Sequence, residues 1–180
     1  HAHEQRQPEA VFSVAEHHQL ACRVASECVT LLKNEADLLP VPQGASLAVI
    51  GAFAKQPRFQ GAGSSQVTVA QIDSAWDALA AQGWQTSYAP GYESDGSTTA
   101  TLLQEAEKVA ANADIALVFA GLPGRYESES FDRDHIDLPE GHNRLIETVA
   151  AANTKTVVIL TNGSAVTMPW VDRVTSIVEG

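Results

Sequence analysis

The unbroken apolar run from Ile115 to Ala120 sets the tightest limit on how this chain can fold. A strand with water on one side alternates polar and apolar residues, so a run without alternation belongs to a strand covered on both faces. Leu47 to Ile50 and Thr156 to Leu160 repeat the pattern, Trp84 to Tyr88 alternates as a further strand, and Val174 to Val178 forms one more. Helical segments separate them. Residues 72–82 fit a helix closed by Gly83, and Leu102, Leu103, Ala106, Val109 and Ala110 recur at helical spacing. Pro139 suits the first position of another helix, with Leu145, Ile146 and Val149 on its buried side. Strands alternating with helices predict a mostly parallel sheet with helices on both faces, an α/β sandwich, as a single domain over residues 14–180. Residues 1–13 read as a linker or frayed segment. Ser13 and Glu16 form a capping-box signature. Leu20, Val24, Cys28, Leu31 and Leu32 then predict one amphipathic helix over residues 14–34, with His17 and His18 at its surface.

The apolar run at 115–120 ends in a loop of different character. Residues 125–133 carry Glu127, Glu129 and Asp132 beside Tyr126 and Phe131, whereas ordinary linkers are rich in Gly, Ser and Pro. A loop at the end of a buried strand is where α/β folds hold ligands and chemistry. On residue type alone, Glu129 is one of 22 acidic residues on a solvated loop, and Glu127 stands as its rival two positions earlier. The stretch from Gly61 to Ser65 has three physical readings. It could be a flexible turn, a phosphate cradle, or a place where backbone and a hydroxyl approach a sugar. The phosphate motifs themselves are missing.

Charge and composition exclude several classes. With 22 acidic and 11 basic residues the net charge is −11, which argues against nucleic acid or an anionic membrane as partner. No apolar run nears the length of a transmembrane helix. Cys22 and Cys28 lie six residues apart on the predicted helix. That is a rise of about 9 Å, too far for a disulfide, and they are expected to be buried thiols. The Cys pair has no matching second pair for a metal, and His135 and His142 have no third ligand, so no metal or other cofactor is expected. Ser164 is not a hydrolase nucleophile, because Gly163-Ser164 runs into Ala165-Val166 without the G-x-S-x-G pattern. Trp76 and Trp84 read as core residues and Trp170 as structural.

Several segments, in order, resemble the second domain of family 3 glycoside hydrolases. Leu31-Leu32-Lys33-Asn34-Glu35 with Leu38-Leu39-Pro40 resembles that domain's entry, and Leu47 to Gly51 its first strand. Gln60 to Ser65 resembles its Gly-Ser loop. Glu129, Phe131-Asp132-Arg133 and Leu138-Pro139 resemble its acid/base segment. Asn162-Gly163-Ser164 and Met168-Pro169-Trp170 resemble its later strand and turn. The resemblance implies a retaining, exo-acting, β-glucosidase-like enzyme acting on a β-linked glycoside. In it, Glu129 serves as general acid/base, and Gly63, Ser64 and Ser65 contact the sugar. Tyr126 and Phe131 wall a pocket that raises the Glu129 pKa, while Asp132 and Arg133 brace the loop. The nucleophile, an Asp, belongs to a barrel domain preceding this segment. The chain therefore reads as an excised piece, truncated at its C-terminus, nearly inert alone, and expected to expose an apolar patch where the barrel docks. Ser130 stands where the family has Gly, and would be strained if that position takes a positive φ. The alternative reading is a non-catalytic flavodoxin-like or Rossmann-like module that binds a ligand or a protein.

Overall fold

The computed structural model describes residues 12–180. The expected linker therefore lies, for residues 1–11, outside the described residues. Six strands make one sheet: β1 (Thr30–Asn34), β2 (Ser46–Ile50), β3 (Gln85–Ala89), β4 (Ile115–Gly121), β5 (Thr156–Thr161) and β6 (Ser176–Glu179). Their order is β1-β6-β5-β4-β2-β3, parallel throughout except that β1 runs antiparallel to β6. The helices are α1 (Val14–Cys28), α2 (Ala75–Ala81), α3 (Ala100–Ala111) and α4 (Glu140–Ala152). No helix among the described residues is long and apolar enough to cross a membrane.

The strands' two-residue period splits the core into two layers. Ala48, Ile50, Ala116, Val118, Val158 and Leu160 pack with Ala106 and Ala110 of α3 and Leu145, Ile146 and Val149 of α4. On the opposite face Leu47, Val49, Ile115, Leu117 and Val157 pack with Leu79 and Trp76 of α2. This is the expected sandwich, with helices on both faces of a mostly parallel sheet. Every β4 residue except Phe119 is buried, which explains its unbroken apolar sequence.

The chain's path around β2 fixes where a site can form. From β2 the chain crosses to β3 at the sheet edge, then returns to place β4 on the other side of β2. From these adjacent strand ends the chain goes on to opposite sides, to β3 from β2 and to β5 from β4, and in open α/β sheets such a switch point is where a crevice opens.

Two expectations need correction. The helix predicted over 14–34 ends at Cys28, and Val29 adopts an extended conformation (φ −64°, ψ 127°). Residues 30–34 form β1, paired with β6 at the far end of the chain. β-Branched Val29 and Thr30 favour that extension, and Lys33 and Asn34 lock it. Lys33 Nζ donates to the Val171 and Val174 carbonyls at 2.7 and 2.8 Å. Asn34 Oδ1 accepts from the Leu39 amide at 3.0 Å and from Ser176 Oγ at 2.9 Å. The cysteines are also not buried: both are exposed, because α1 buries none of its residues among the described residues. A smaller shift concerns α4, which begins at Glu140 with Pro139 just ahead of it.

His142 and Trp170, both near α4's packing surface, are fully buried. Trp170 Nε1 donates to Asn143 Oδ1 at 2.9 Å, the structural role expected of it. His142 Nδ1 accepts from the Gly121 amide at 3.2 Å, and its ring lies against Tyr92 and Phe53. Its Nε2 is buried without a hydrogen-bond partner among the described residues. Burial disfavours the imidazolium and pushes the pKa down to about 4. An unfolded His titrates near 6.5, so as pH falls below that value the unfolded chain takes up a proton that the folded one refuses. Stability present above pH ~6.5 should decline towards pH ~4, by at most about 3 kcal/mol from this residue. Urea unfolding across that range should show the decline in the wild type. His142→Asn, whose Oδ1 can still accept from Gly121, should lose this component while being weaker at neutral pH.

Candidate active site

The loops leaving β2 and β4 meet at the switch point. The Ala62 amide donates to the Glu127 carbonyl at 3.0 Å, and Ala62 and Ser128 form an isolated parallel bridge. Gly63 to Ser65 then make one 3-10 turn. The Ser64 amide donates to Glu129 Oε2 at 3.1 Å, and Ser64 Oγ donates to the same oxygen. Gly63 is required here twice over. Its φ is +81°, and a Cβ would lie 2.9 Å from the Cβ of Glu129. Of the three residues expected to contact a sugar, Gly63 and Ser64 thus adjoin Glu129. Ser65 turns back, its Oγ donating to the Ala62 carbonyl at 3.3 Å.

The rival carboxylates are separated by their surroundings. Glu127 Oε1 accepts from the Gly163 amide at 2.7 Å, and Oε2 lies 3.7 Å from Arg58 Nη2, with only 18% of the Glu127 side chain exposed. Arg58 also donates from Nε to the Leu122 carbonyl at 3.2 Å. Together with Phe59, Gln60, Thr161 and Asn162 these groups line a cleft of about 390 Å³ at the ends of the parallel strands. Glu129 does not line that cleft. It is exposed, and among the described residues its carboxylate is held only by Ser64. Glu127 is thus committed to bracing the loop, while Glu129 faces outward.

Tyr126 and Phe131 do line a small cavity of about 180 Å³, with Arg125 and Arg133, but Glu129 is not in its wall, so among the described residues they do not enclose the carboxylate. Phe131 is 72% exposed, and Tyr126 packs against the α3–α4 layer with its hydroxyl accepting from Arg125 Nη2 at 2.9 Å. The Glu129 pKa is accordingly lowered rather than raised, first by the Ser64 hydroxyl and then by the Ser64 amide, both of which bind the charged form. Arg133 braces the loop as expected, but through Ser164 Oγ at 2.8 Å and the Ala165 carbonyl at 3.0 Å rather than through Asp132, which is exposed. His135 is exposed too.

Arg58 and Asn162 were not singled out by residue type or spacing, yet they frame the cleft. Asn162 Nδ2 donates to Glu179 Oε1 at 2.8 Å, tying the β5 loop to β6. The one local hint for Arg58 is a cation flanked by Pro57 and Phe59 in an otherwise small, polar loop.

Ser130 has φ +69°, the conformation anticipated for the glycine it replaces. Ser130→Gly should relieve this and raise stability by roughly 0.5–1 kcal/mol after allowing for the freer unfolded chain, read from denaturant midpoints. Gly63→Ala should do the reverse. It should push the two loops apart, break the Ser64 hydrogen bonds, and let the Glu129 pKa climb back towards an ordinary glutamate's, as followed by carboxyl carbon NMR.

Comparison with known proteins identifies the family. Residues 29–180 match the model of the glycosyl hydrolase family 3 C-terminal domain. The chain is 45% identical over 181 residues to thermostable beta-glucosidase B of Acetivibrio thermocellus, covering 98% of this chain and 24% of that protein. It is 41% identical to the exo-alpha-(1->6)-L-arabinopyranosidase of Bifidobacterium longum, covering 93% and 24%. The crystal structure of the Bifidobacterium adolescentis GH3 beta-glucosidase superposes with a TM-score of 0.90 at 43% identity, over 95% of this chain and 25% of that one. The chain thus spans about a quarter of the length of the relatives it matches. It belongs to glycoside hydrolase family 3 and corresponds to that family's C-terminal, α/β-sandwich domain.

Proposed function

We propose that this chain is the second domain of a retaining, exo-acting β-glycosidase of the β-glucosidase type. In this reading it supplies Glu129 as general acid/base and the Gly63–Ser65 turn as one wall of the sugar site. The observation that carries the proposal is the contrast between two glutamates on one loop: Glu127 is paired, and Glu129 is exposed at the switch point beside a hydroxyl. The beta-glucosidase relatives support the substrate class.

The chemistry follows from the partners of Glu129. Its protonated form gives a proton to the departing glycosidic oxygen while an Asp of a preceding barrel domain attacks the anomeric carbon, the two carboxyl groups lying about 5–5.5 Å apart. Glu129, now ionised, then takes a proton from the water that releases the sugar. Donating that first proton near neutral pH requires a raised pKa, yet the Ser64 hydrogen bonds hold the carboxylate low. A docked barrel desolvates Glu129 and brings a second negative charge, both of which favour the neutral acid. A sugar hydroxyl that draws off the Ser64 Oγ hydrogen bond pushes the same way. Exposed Phe59, Phe131 and Ile136 at this edge, and Leu20 and Val24 on α1, give a docking barrel apolar surface to cover. Alone, without the attacking Asp, the chain is nearly inert.

The test uses the full-length protein. Glu129→Ala should lose about 10²–10⁴-fold in rate on aryl β-glucosides with poor leaving groups and far less on those with good ones. Added azide should restore turnover and yield a glycosyl azide. Glu127→Gln should depress all substrates without azide rescue, because it only loosens the loop. Ser64→Ala should move the basic limb of the kcat/KM profile to higher pH. If Glu129→Ala hydrolyses every substrate like the wild type, the acid/base assignment is wrong. Running α-L-arabinopyranosides in parallel decides between the two substrate names carried by the relatives.

A further inference from the structure

Away from the cleft, α1 meets the segment before α2 through three side chains of metal-ligating type. His18 and Cys22 are four residues apart and so share one face of the helix. Asp73, 51 residues beyond Cys22, reaches that face from the other side. His18 Nε2 lies 2.8 Å from Asp73 Oδ2, and Cys22 Sγ lies 3.6 Å from each of them. Gln71 Nε2 also sits 2.9 Å from His18 Nε2. Four polar groups from two segments thus converge on one point.

We propose that His18, Cys22 and Asp73 form a binding site for a zinc-class divalent cation that clamps α1 to the body of the domain. The spacing fits the ion. With zinc–sulfur bonds of ~2.3 Å and zinc–nitrogen or zinc–oxygen bonds of ~2.05 Å, tetrahedral geometry sets sulfur about 3.6 Å from nitrogen or oxygen, and nitrogen about 3.3 Å from oxygen. Both sulfur distances already match. Only the His18–Asp73 separation must open, by about 0.5 Å, as a hydrogen bond gives way to two metal bonds. The fourth position falls to water or to the Gln71 amide turned over to present its oxygen. A thiolate with an imidazole and one carboxylate selects zinc-class ions over calcium or magnesium, which favour all-oxygen sites. On binding, the Cys22 thiol gives its proton to solvent and the thiolate takes its place on the metal.

Such a clamp would secure the side of α1 that a docked barrel leaves uncovered. α1 buries none of its residues, and a 15-residue helix is marginal without packing. Leu20 and Val24 lie on the side of α1 opposite His18 and Cys22, so the side facing the domain is held by polar contacts. The site uses neither Cys28 nor the neighbouring His17. Sequence spacing along the helix could not reveal Asp73 as the third ligand.

The test loads the metal-stripped full-length protein with Co²⁺ and then Zn²⁺. The wild type should show a thiolate-to-cobalt charge-transfer band with the intense visible bands of a four-coordinate ion, both lost when zinc displaces cobalt. Zinc should also raise the Tm. Cys22→Ser and His18→Ala should each abolish the charge-transfer band and the zinc-dependent Tm shift, while Cys28→Ser keeps both. A variant with His1 and His3 replaced excludes binding at those histidines and should also keep both. A band that is absent from the wild type, survives Cys22→Ser or His18→Ala, or vanishes when His1 and His3 are replaced overturns the proposal.

Discussion

Everything in the site depends on β2 and β4 lying side by side while the chain leaves them for different destinations. The parallel pairing of Leu47–Ile50 with Ile115–Val118 puts two strand ends together. The crossover to β3 keeps the intervening chain from closing over them. Residues 62 and 127–129 can then bridge by backbone, and a hydroxyl and a carboxylate 65 residues apart in sequence share a hydrogen bond. The anchoring cost falls on the sheet, whose middle strands are buried on both faces, and not on the loops. The loops thereby stay polar and exposed enough to receive a ligand.

Within that frame, the same residue type does opposite work two positions apart. Glu127 lies in a largely enclosed corner with a backbone amide and a guanidinium, and is used up in holding the β5 loop near the β4 loop. Glu129 meets water and one serine. The serine stabilises charge on the carboxylate, which suits a base and hinders an acid. In the proposed role, where Glu129 acts as each in turn, a partner that can be drawn away is an advantage. The hydroxyl of Ser64 has that property, since a sugar offers competing acceptors, whereas a fixed cation would not.

The layer architecture was legible because it depends on local pattern. Unbroken apolar strands and 3.6-residue helical spacing survive in one dimension, and Ile115 to Ala120 alone implies burial on both faces. β1 was not legible, because Leu31 and Leu32 continue the apparent stripe of α1 and the strand exists only through β6 at the other end of the chain. The cysteines misled for a related reason: an amphipathic stripe predicts burial without saying whether the covering surface lies in the same chain. The nearness of Ser64 to Glu129 came from resemblance and not from spacing. The low pKa of Glu129 and the outward turn of Phe131 depend on which surfaces are present, and no motif encodes that. The bracing by Arg58 and Asn162 depends on loops converging in three dimensions, which neither period nor composition reports.

Ser128 lies between the two glutamates and is itself fixed, through its bridge to Ala62. The segment from 127 to 129 therefore has a set length, with an inward group, an anchored residue and an outward group in strict succession. Adding or deleting one residue there would break the register that lets Glu127 reach Gly163 and Glu129 reach Ser64 at the same time. The length of this stretch should therefore be as sensitive to change as its two carboxylates, whereas the exposed Asp134 and His135 further along the loop carry no such constraint.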